Sequence, residues 1–265
     1  MTGHVGRVAL RVTDLDRMVA FYEDVVGLGT LDRDADRAVL GVDHPLLVLL
    51  AAPDRPARGP DETGLFHTAF RVPSRAALGD ALDRIESEWR LDGASDHHVS
   101  EALYLSDPED NGVEVYCDRP RDDWPVDDEG RVGMDTLPLA LDSLRDAAAG
   151  ADRAPSGTDV GHVHLEVSDL DAARSFYVDS LGLRVRQAMP SARFLAFGEY
   201  HHHVGCNVWN GRSTPAAGRG LAWVELVVDD AEAIRARLEP AAVTDRPDGF
   251  DVDDPDGVTI RVRRP

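Results

Sequence analysis

The chain has 265 residues and a formal charge of −21, with 49 acidic side chains against 28 basic ones and no lysine. This length fits one large domain or two ordinary ones, and so acidic a surface excludes a nucleic-acid or anionic-membrane partner. No apolar run reaches the length of a membrane span. MTGHVGRVAL lacks the basic and apolar regions of a signal peptide, and Cys117 and Cys206 have no CxxC partner. A cytoplasmic protein with buried, inert thiols is the expectation.

In chain order, GRVALRV (6–12) reads as a strand by its alternating pattern. VTDLDRMVAFYEDVVGLG (12–29) then reads as a helix capped by Asp14 and stopped at Gly27. HTAFRVPSRAALGDAL (67–82) is again strand then helix, and DPEDNGVEVY (107–116) is a turn with a last strand. Residues 121–158 are acidic and rich in Pro and Gly, with one short helical stretch near 138–149, and read as a linker. The pattern then repeats. GHVHLEV (161–167) copies GRVALRV, VSDLDAARSFYVDSLGLR (167–184) copies the first helix, WVELVVDDAEAIRARL (223–238) copies 67–82, and DPDGVTIRV (254–262) copies the last strand.

Four βαβββ modules result, near 4–52, 63–119, 160–210 and 219–264. They give a first domain over 1–120, the linker over 121–158 and a second domain over 159–265. The fold class expected is α+β, with curved mixed sheets forming two cups.

This repeat, with its D-L…F-Y…G-L signature, resembles the vicinal oxygen chelate superfamily of glyoxalases, bleomycin-binding proteins and extradiol dioxygenases. The resemblance covers nearly the whole chain outside the linker. HHVSEALYLSDPEDNGVEVYCDRPR (97–121) and GEYHHHVGCNVWNGR (198–212) are similar to the two-domain, catechol-2,3-dioxygenase-like branch. The acidic, lysine-free composition is also similar to that of salt-loving microbes.

The resemblance implies metal ligands at a set position on each module's first strand and on its last strand. Strand parity identifies those positions here. Val163, Leu165 and Val167 face the core, so His162, His164 and Glu166 face the cup. Equivalent to His162 are Arg7, His67 and Trp223. On the last strands Glu114 and Tyr116 face the cup. Arg261 and Asn207 are read as the equivalents of Glu114, and the first module offers only apolar residues there. The ligand candidates are thus His67, Glu114 and His162. They share one cup only if the second module pairs with the third, and the first with the fourth. Two imidazoles and one carboxylate suit Fe(II) with open positions; Mn(II), Zn(II) and Ni(II) remain alternatives.

The resemblance also implies a Tyr about ten residues before the Glu ligand and a His upstream, matched by Tyr104 with His97 or His98. An unbroken strand through YHHHVGCNVW would put His201 and His203 on the cup face and His202 away from it, making His203 or His201 the acid/base. Trp209 and Tyr116 would wall a flat substrate. The function expected is an Fe(II) extradiol dioxygenase acting on a catechol-like diol and O2, with a homo-oligomer left open. The alternatives are a glyoxalase-type isomerase, lyase or thiol transferase, and a non-catalytic binding protein. Asn207 in place of a fourth carboxylate speaks against the isomerase.

Overall fold

The repeats fold as repeated units in a computed structural model that describes residues 1–265. The first module holds β1 (Gly3–Val12), α1 (Leu15–Phe21), β2 (Gly29–Arg33), β3 (Arg37–Gly41) and β4 (Pro45–Ala51). Asp14 caps α1 by accepting from the Arg17 amide, and the helix widens into a π turn over Tyr22–Val26 before Gly27 ends it at φ 89°. The second module holds β5 (Gly64–Arg71), α2 (Arg75–Glu88), β6 (Gly93–Asp96), β7 (Ser100–Ser106) and β8 (Gly112–Asp118). After β9 (Leu137–Pro138) and α3 (Leu141–Arg145), the third module brings β10 (Asp159–Glu166), α4 (Leu170–Arg174), β11 (Arg184–Met189), β12 (Ala192–Ala196) and β13 (Val204–Asn207). The fourth closes the chain with β14 (Gly220–Val228), α5 (Ala231–Arg235), β15 (Val243–Arg246), β16 (Gly249–Asp253) and β17 (Thr259–Arg263).

Two curved mixed sheets form. One has eight strands in the order β15-β16-β17-β14-β1-β4-β3-β2, and the other nine in the order β11-β12-β13-β10-β5-β8-β7-β6-β9. Modules one and four therefore share a sheet, joined by antiparallel β1 and β14. Modules two and three share the other, joined by antiparallel β5 and β10 with His67 opposite His164. Residues 121–158 divide the sequence into halves, and each half sends one module to each sheet.

The repeated motifs explain what holds the halves together. The helix tyrosine of module one, Tyr22, donates to Asp107 of the second module's Asp-Pro turn at 3.0 Å. Tyr177 of module three donates to Asp254 of module four at 2.9 Å. Beside each bond, a second turn carboxylate receives backbone amides at a helix start. Glu109 accepts from Thr13 and Asp14, and Asp256 accepts from Ser168. Sheet bonds thus tie one to four and two to three, while these latches tie one to two and three to four. A continuous apolar core draws on all four modules.

The stretch between the halves is not a free linker. Its second part packs on α2, where Asp80 accepts from the amides of Ala149 and Gly150. A Cβ on Gly79 would stand 2.6 Å from the Leu144 carbonyl, so only glycine allows that approach. Its first part is a strap across the nine-stranded sheet. Trp124 and Val132 bury themselves against Val99 and Tyr200, and β9 pairs with β6. Proline, glycine and acidic residues hide this order, because the apolar anchors are single residues without a period.

Candidate metal centre and its cavity

A cavity of about 600 Å³ opens on the concave face of the nine-stranded sheet. Its floor comes from β5, β8 and β10, whose alternation sends Val163, Leu165 and Val167 into the core and His162, His164 and Glu166 into the cavity. His67 on β5, Glu114 on β8 and His162 on β10 meet there, with one ligand atom from each lying within 4.8 Å of the others. Glu114 Oε2 is 3.0 Å from His67 Nε2 and 3.1 Å from His162 Nε2. All three residues are buried.

Burial opposes ionisation of Glu114, but the imidazoles of His162 and His67 outweigh it and hold the carboxyl well below its usual range. Burial lowers His162 to about 4. Both shifts leave donor lone pairs free near neutral pH, the state a divalent cation needs. The side chains fit such an ion. His67 Nε2 is buried 3.0 Å from Glu114 Oε2 without the alignment of a hydrogen bond, and two nitrogens with one carboxylate oxygen match the preference of a first-row transition metal.

Tyr104 on β7 stands directly across from Glu114. Its hydroxyl is 2.7 Å from His97 Nε2, and His97 Nδ1 is 2.5 Å from the Asp135 carbonyl. A carbonyl only accepts, so His97 carries a proton on Nδ1, and the Tyr104 hydroxyl lies between His97 Nε2 and the Glu114 carboxylate. His98 has the left-handed φ of 66°, and its side chain is exposed. His97 is therefore the imidazole of the pair that lines the cavity. The strap forms part of the opposite wall through Met134, Asp135 and Thr136.

The HHH run differs from the parity expectation. Strand β13 starts only at Val204, and the irregular chain before it breaks the alternation. His202 lines the cavity, with its ring centroid 4.0 Å from that of His162. His201 lies underneath, 2.9 Å from Asp118. His203 turns back to accept the Phe197 amide at Nδ1, and burial lowers its imidazole to about 3. Neither His201 nor His203 reaches the cavity. The single signal in the sequence is the run itself, which does not say which of three neighbours points inward.

Two further placements are corrected. Tyr116 is wholly buried under the floor, donating to Tyr200, and Trp209 alone of the two expected walls reaches the cavity, beside Phe66. The counterpart of Glu114 in module three is Gly205, not Asn207. Glu114 pairs with Ala69, two residues after His67, and Gly205 pairs with His164, two residues after His162. A Cβ on Gly205 would stand 2.3 Å from the His164 ring. The space of a fourth carboxylate is thus filled by an imidazole, whose Nε2 has no partner.

The equivalent face of the eight-stranded sheet is filled. Glu225 is fully buried between Arg7 and Arg263, the latter at 3.0 Å. Asp251 pairs with Arg246 and Arg261, and the Arg261 guanidinium lies 4.1 Å above the Trp223 ring. Strand parity in the sequence places Arg7, Trp223 and Arg261 on this face, and the structure adds Glu225, one pleat beyond Trp223 and paired with Arg261.

Comparison with known proteins agrees with this architecture. The family model for the Glyoxalase/Bleomycin resistance protein/Dioxygenase superfamily matches residues 4–115 and 159–262. The chain is 36% identical over 267 residues to the catechol-2,3-dioxygenase of Bacillus subtilis (strain 168), covering 95% of this chain and 94% of that one. It is 31% identical over 127 residues to biphenyl-2,3-diol 1,2-dioxygenase 3 of Rhodococcus globerulus, covering 44% and 65%. Glyoxalase I from Zea mays shares the fold at a TM-score of 0.63 and 16% identity, with 99% of this chain and 92% of that one covered. Repeat, cup geometry and sequence agree: the chain belongs to the Glyoxalase/Bleomycin resistance protein/Dioxygenase superfamily.

Proposed function

We propose that the protein is an Fe(II)-dependent extradiol dioxygenase that opens the ring of a catechol-like diol with O2. The observation that carries this reading is the convergence of His67, Glu114 and His162 at the floor of a cavity of about 600 Å³, a volume suited to a small aromatic molecule. The likeness to a catechol-2,3-dioxygenase over nearly the whole chain supports it. His67, Glu114 and His162 would hold the ion, which when bound supplies open coordination positions and one-electron chemistry for the diol and O2.

The remaining work belongs to the side chains around it. Phe66, Phe194 and Trp209 offer aromatic surface to a flat ring. Tyr104 presents a phenol beside Glu114, and its bond to His97 leads from the buried floor toward the half-buried rim. His202 presents an imidazole on the side of His162. A phenol and an imidazole flanking the site can exchange protons with the two hydroxyls of a diol. Gly205 in place of a fourth carboxylate disfavours glyoxalase-type isomerisation.

The test is oxygen uptake by protein loaded anaerobically with Fe(II), against a panel of catechols and hydroquinones. Uptake that requires both iron and a diol, with a coloured ring-opened product, supports the reading. Iron bound in full without uptake on any diol overturns it.

A further inference from the structure

His202 has its inner edge against a buried chain of polar groups. Its Nδ1 lies 2.7 Å from Nδ1 of His201, and His201 Nε2 lies 2.9 Å from Oδ1 of Asp118. Asp118 also accepts from Arg71 Nη1 at 3.0 Å and from the Tyr200 hydroxyl at 3.1 Å. Tyr116 in turn donates to Tyr200 at 2.7 Å. With the Arg71 guanidinium and the Tyr200 hydroxyl both donating to it, the Asp118 carboxylate stays ionised and acts as an acceptor only.

That fixes the direction of every bond in the chain. A neutral imidazole carries one N–H. His201 is wholly buried, with ring centroids 4.0 Å from Tyr200 and 5.2 Å from Trp124, which disfavours a second proton. Its one proton sits on Nε2, facing Asp118, so its Nδ1 holds a lone pair. The 2.7 Å contact then requires a proton on His202 Nδ1. His202 Nε2 is left with a lone pair and no protein partner, on the cavity side.

We propose that Asp118 and His201 are positioning residues that hold His202 as its Nδ1–H tautomer, so that Nε2 accepts the proton of a hydroxyl bound in the cavity. In that step the substrate O–H bond breaks, an N–H bond forms at His202 Nε2, and the electron pair stays on the hydroxyl oxygen. The charge gained by His202 is met through His201 by the carboxylate of Asp118. Only the identity of the proton donor rests on the dioxygenase reading; the tautomer does not.

The test is nitrogen-15 NMR of the histidine rings in protein loaded with Zn(II), where long-range couplings show which ring nitrogen bears hydrogen. The His202 signals are assigned by their loss in His202→Gln. The expected result is Nδ1–H with a bare Nε2. In Asp118→Asn the amide oxygen keeps accepting from Arg71 and Tyr200 and the NH2 faces His201 Nε2, so the two imidazole bonds reverse and His202 becomes the Nε2–H tautomer. With Fe(II), kcat on a diol then falls about 100-fold while KM changes far less. A packing role would leave the tautomer where it was.

Because Asp118 also anchors Arg71, His201→Leu gives a second route. It removes the acceptor for His202 Nδ1, so a mixture of tautomers and a lower kcat are expected. An Nε2–H tautomer in the unaltered protein overturns the proposal, as does a single Nδ1–H form with unchanged kcat in His201→Leu. The tautomer is read without turnover, so absence of oxygen uptake overturns the dioxygenase reading while the NMR result decides the relay separately.

Discussion

The two sheets are built from one repeat, yet one concave face is hollow and the other is closed by ion pairs. The opening glycine of the first strand shows how small the difference is at its origin. In β10, a Cβ on Gly161 would lie 1.8 Å from the Tyr116 hydroxyl; in β1, a Cβ on Gly6 would lie 2.5 Å from Glu225 Oε1. Both glycines make room for a side chain from the partner module. One neighbour belongs to the hydrogen-bonded network beneath the metal candidates, and the other is a carboxylate clamped by arginines. The scaffold is shared, and the chemistry diverges in the cup-facing residues.

The largest effect expected from this contrast is on metal retention. His67→Ala and His162→Ala should each abolish binding of Fe(II), measured as metal content after dialysis, and should abolish oxygen uptake with it. Arg7→Ala, at the equivalent position of the other cup, should leave metal content unchanged. Full occupancy in His162→Ala would mean that the hollow cup is not the metal centre.

The filled cup should reveal itself through stability. Glu225→Gln removes the charge that faces two half-buried guanidiniums and should cost about 1.5–3 kcal/mol in denaturant unfolding, with kcat unchanged. An unchanged midpoint would show that a neutral amide oxygen serves the two guanidiniums as well as the charge does. The third effect returns to the hollow cup. Gly205→Ala forces the His164 ring aside, and overpacking of this kind costs about 1–3 kcal/mol. Since His164 lines the cavity, a raised KM for the diol should accompany it.

How much of this was legible follows from which rule each residue obeys. Period-2 alternation in β5, β8 and β10 places His67, Glu114 and His162 on one face, because each strand runs unbroken through its ligand candidate even though the β5–β10 register shifts beside His162 and His67. The pairing of modules followed from asking which partition collects them. Alternation failed at His201, His202 and His203 because the chain there is a bend, not a strand. Counting misplaced Asn207 because the loop before β13 differs in length from the one before β8, and only the register shows that Gly205 faces His164. The strap over the cavity was hidden by its composition, since Trp124 and Val132 carry its burial as isolated residues.

The smallest effect tests whether the divergence stops at the cups. The latches Tyr22–Asp107 and Tyr177–Asp254 are the same in both halves of the chain. Burial raises each aspartate to about 6, against the ordinary 3.8. The folded state therefore keeps a proton that the unfolded chain has released, so these groups make stability fall as pH rises from about 4 to about 6, and add no slope above that. Tyr22→Phe and Tyr177→Phe each remove a donor that helps hold the ionised carboxylate, at a cost of about 0.5–1.5 kcal/mol. That cost should be larger above pH 6, where the carboxylate is charged and needs the donor, than near pH 4, where it is protonated. Urea unfolding at both pH values would give two paired numbers. Each latch joins the two sheets, so costs that agree within about 0.5 kcal/mol would show that it serves equally whether its turn comes from the hollow sheet, as Asp107 does, or from the filled one, as Asp254 does. A clear inequality would mean that the difference between the two sheets extends from the cup-facing residues to the turns that latch them.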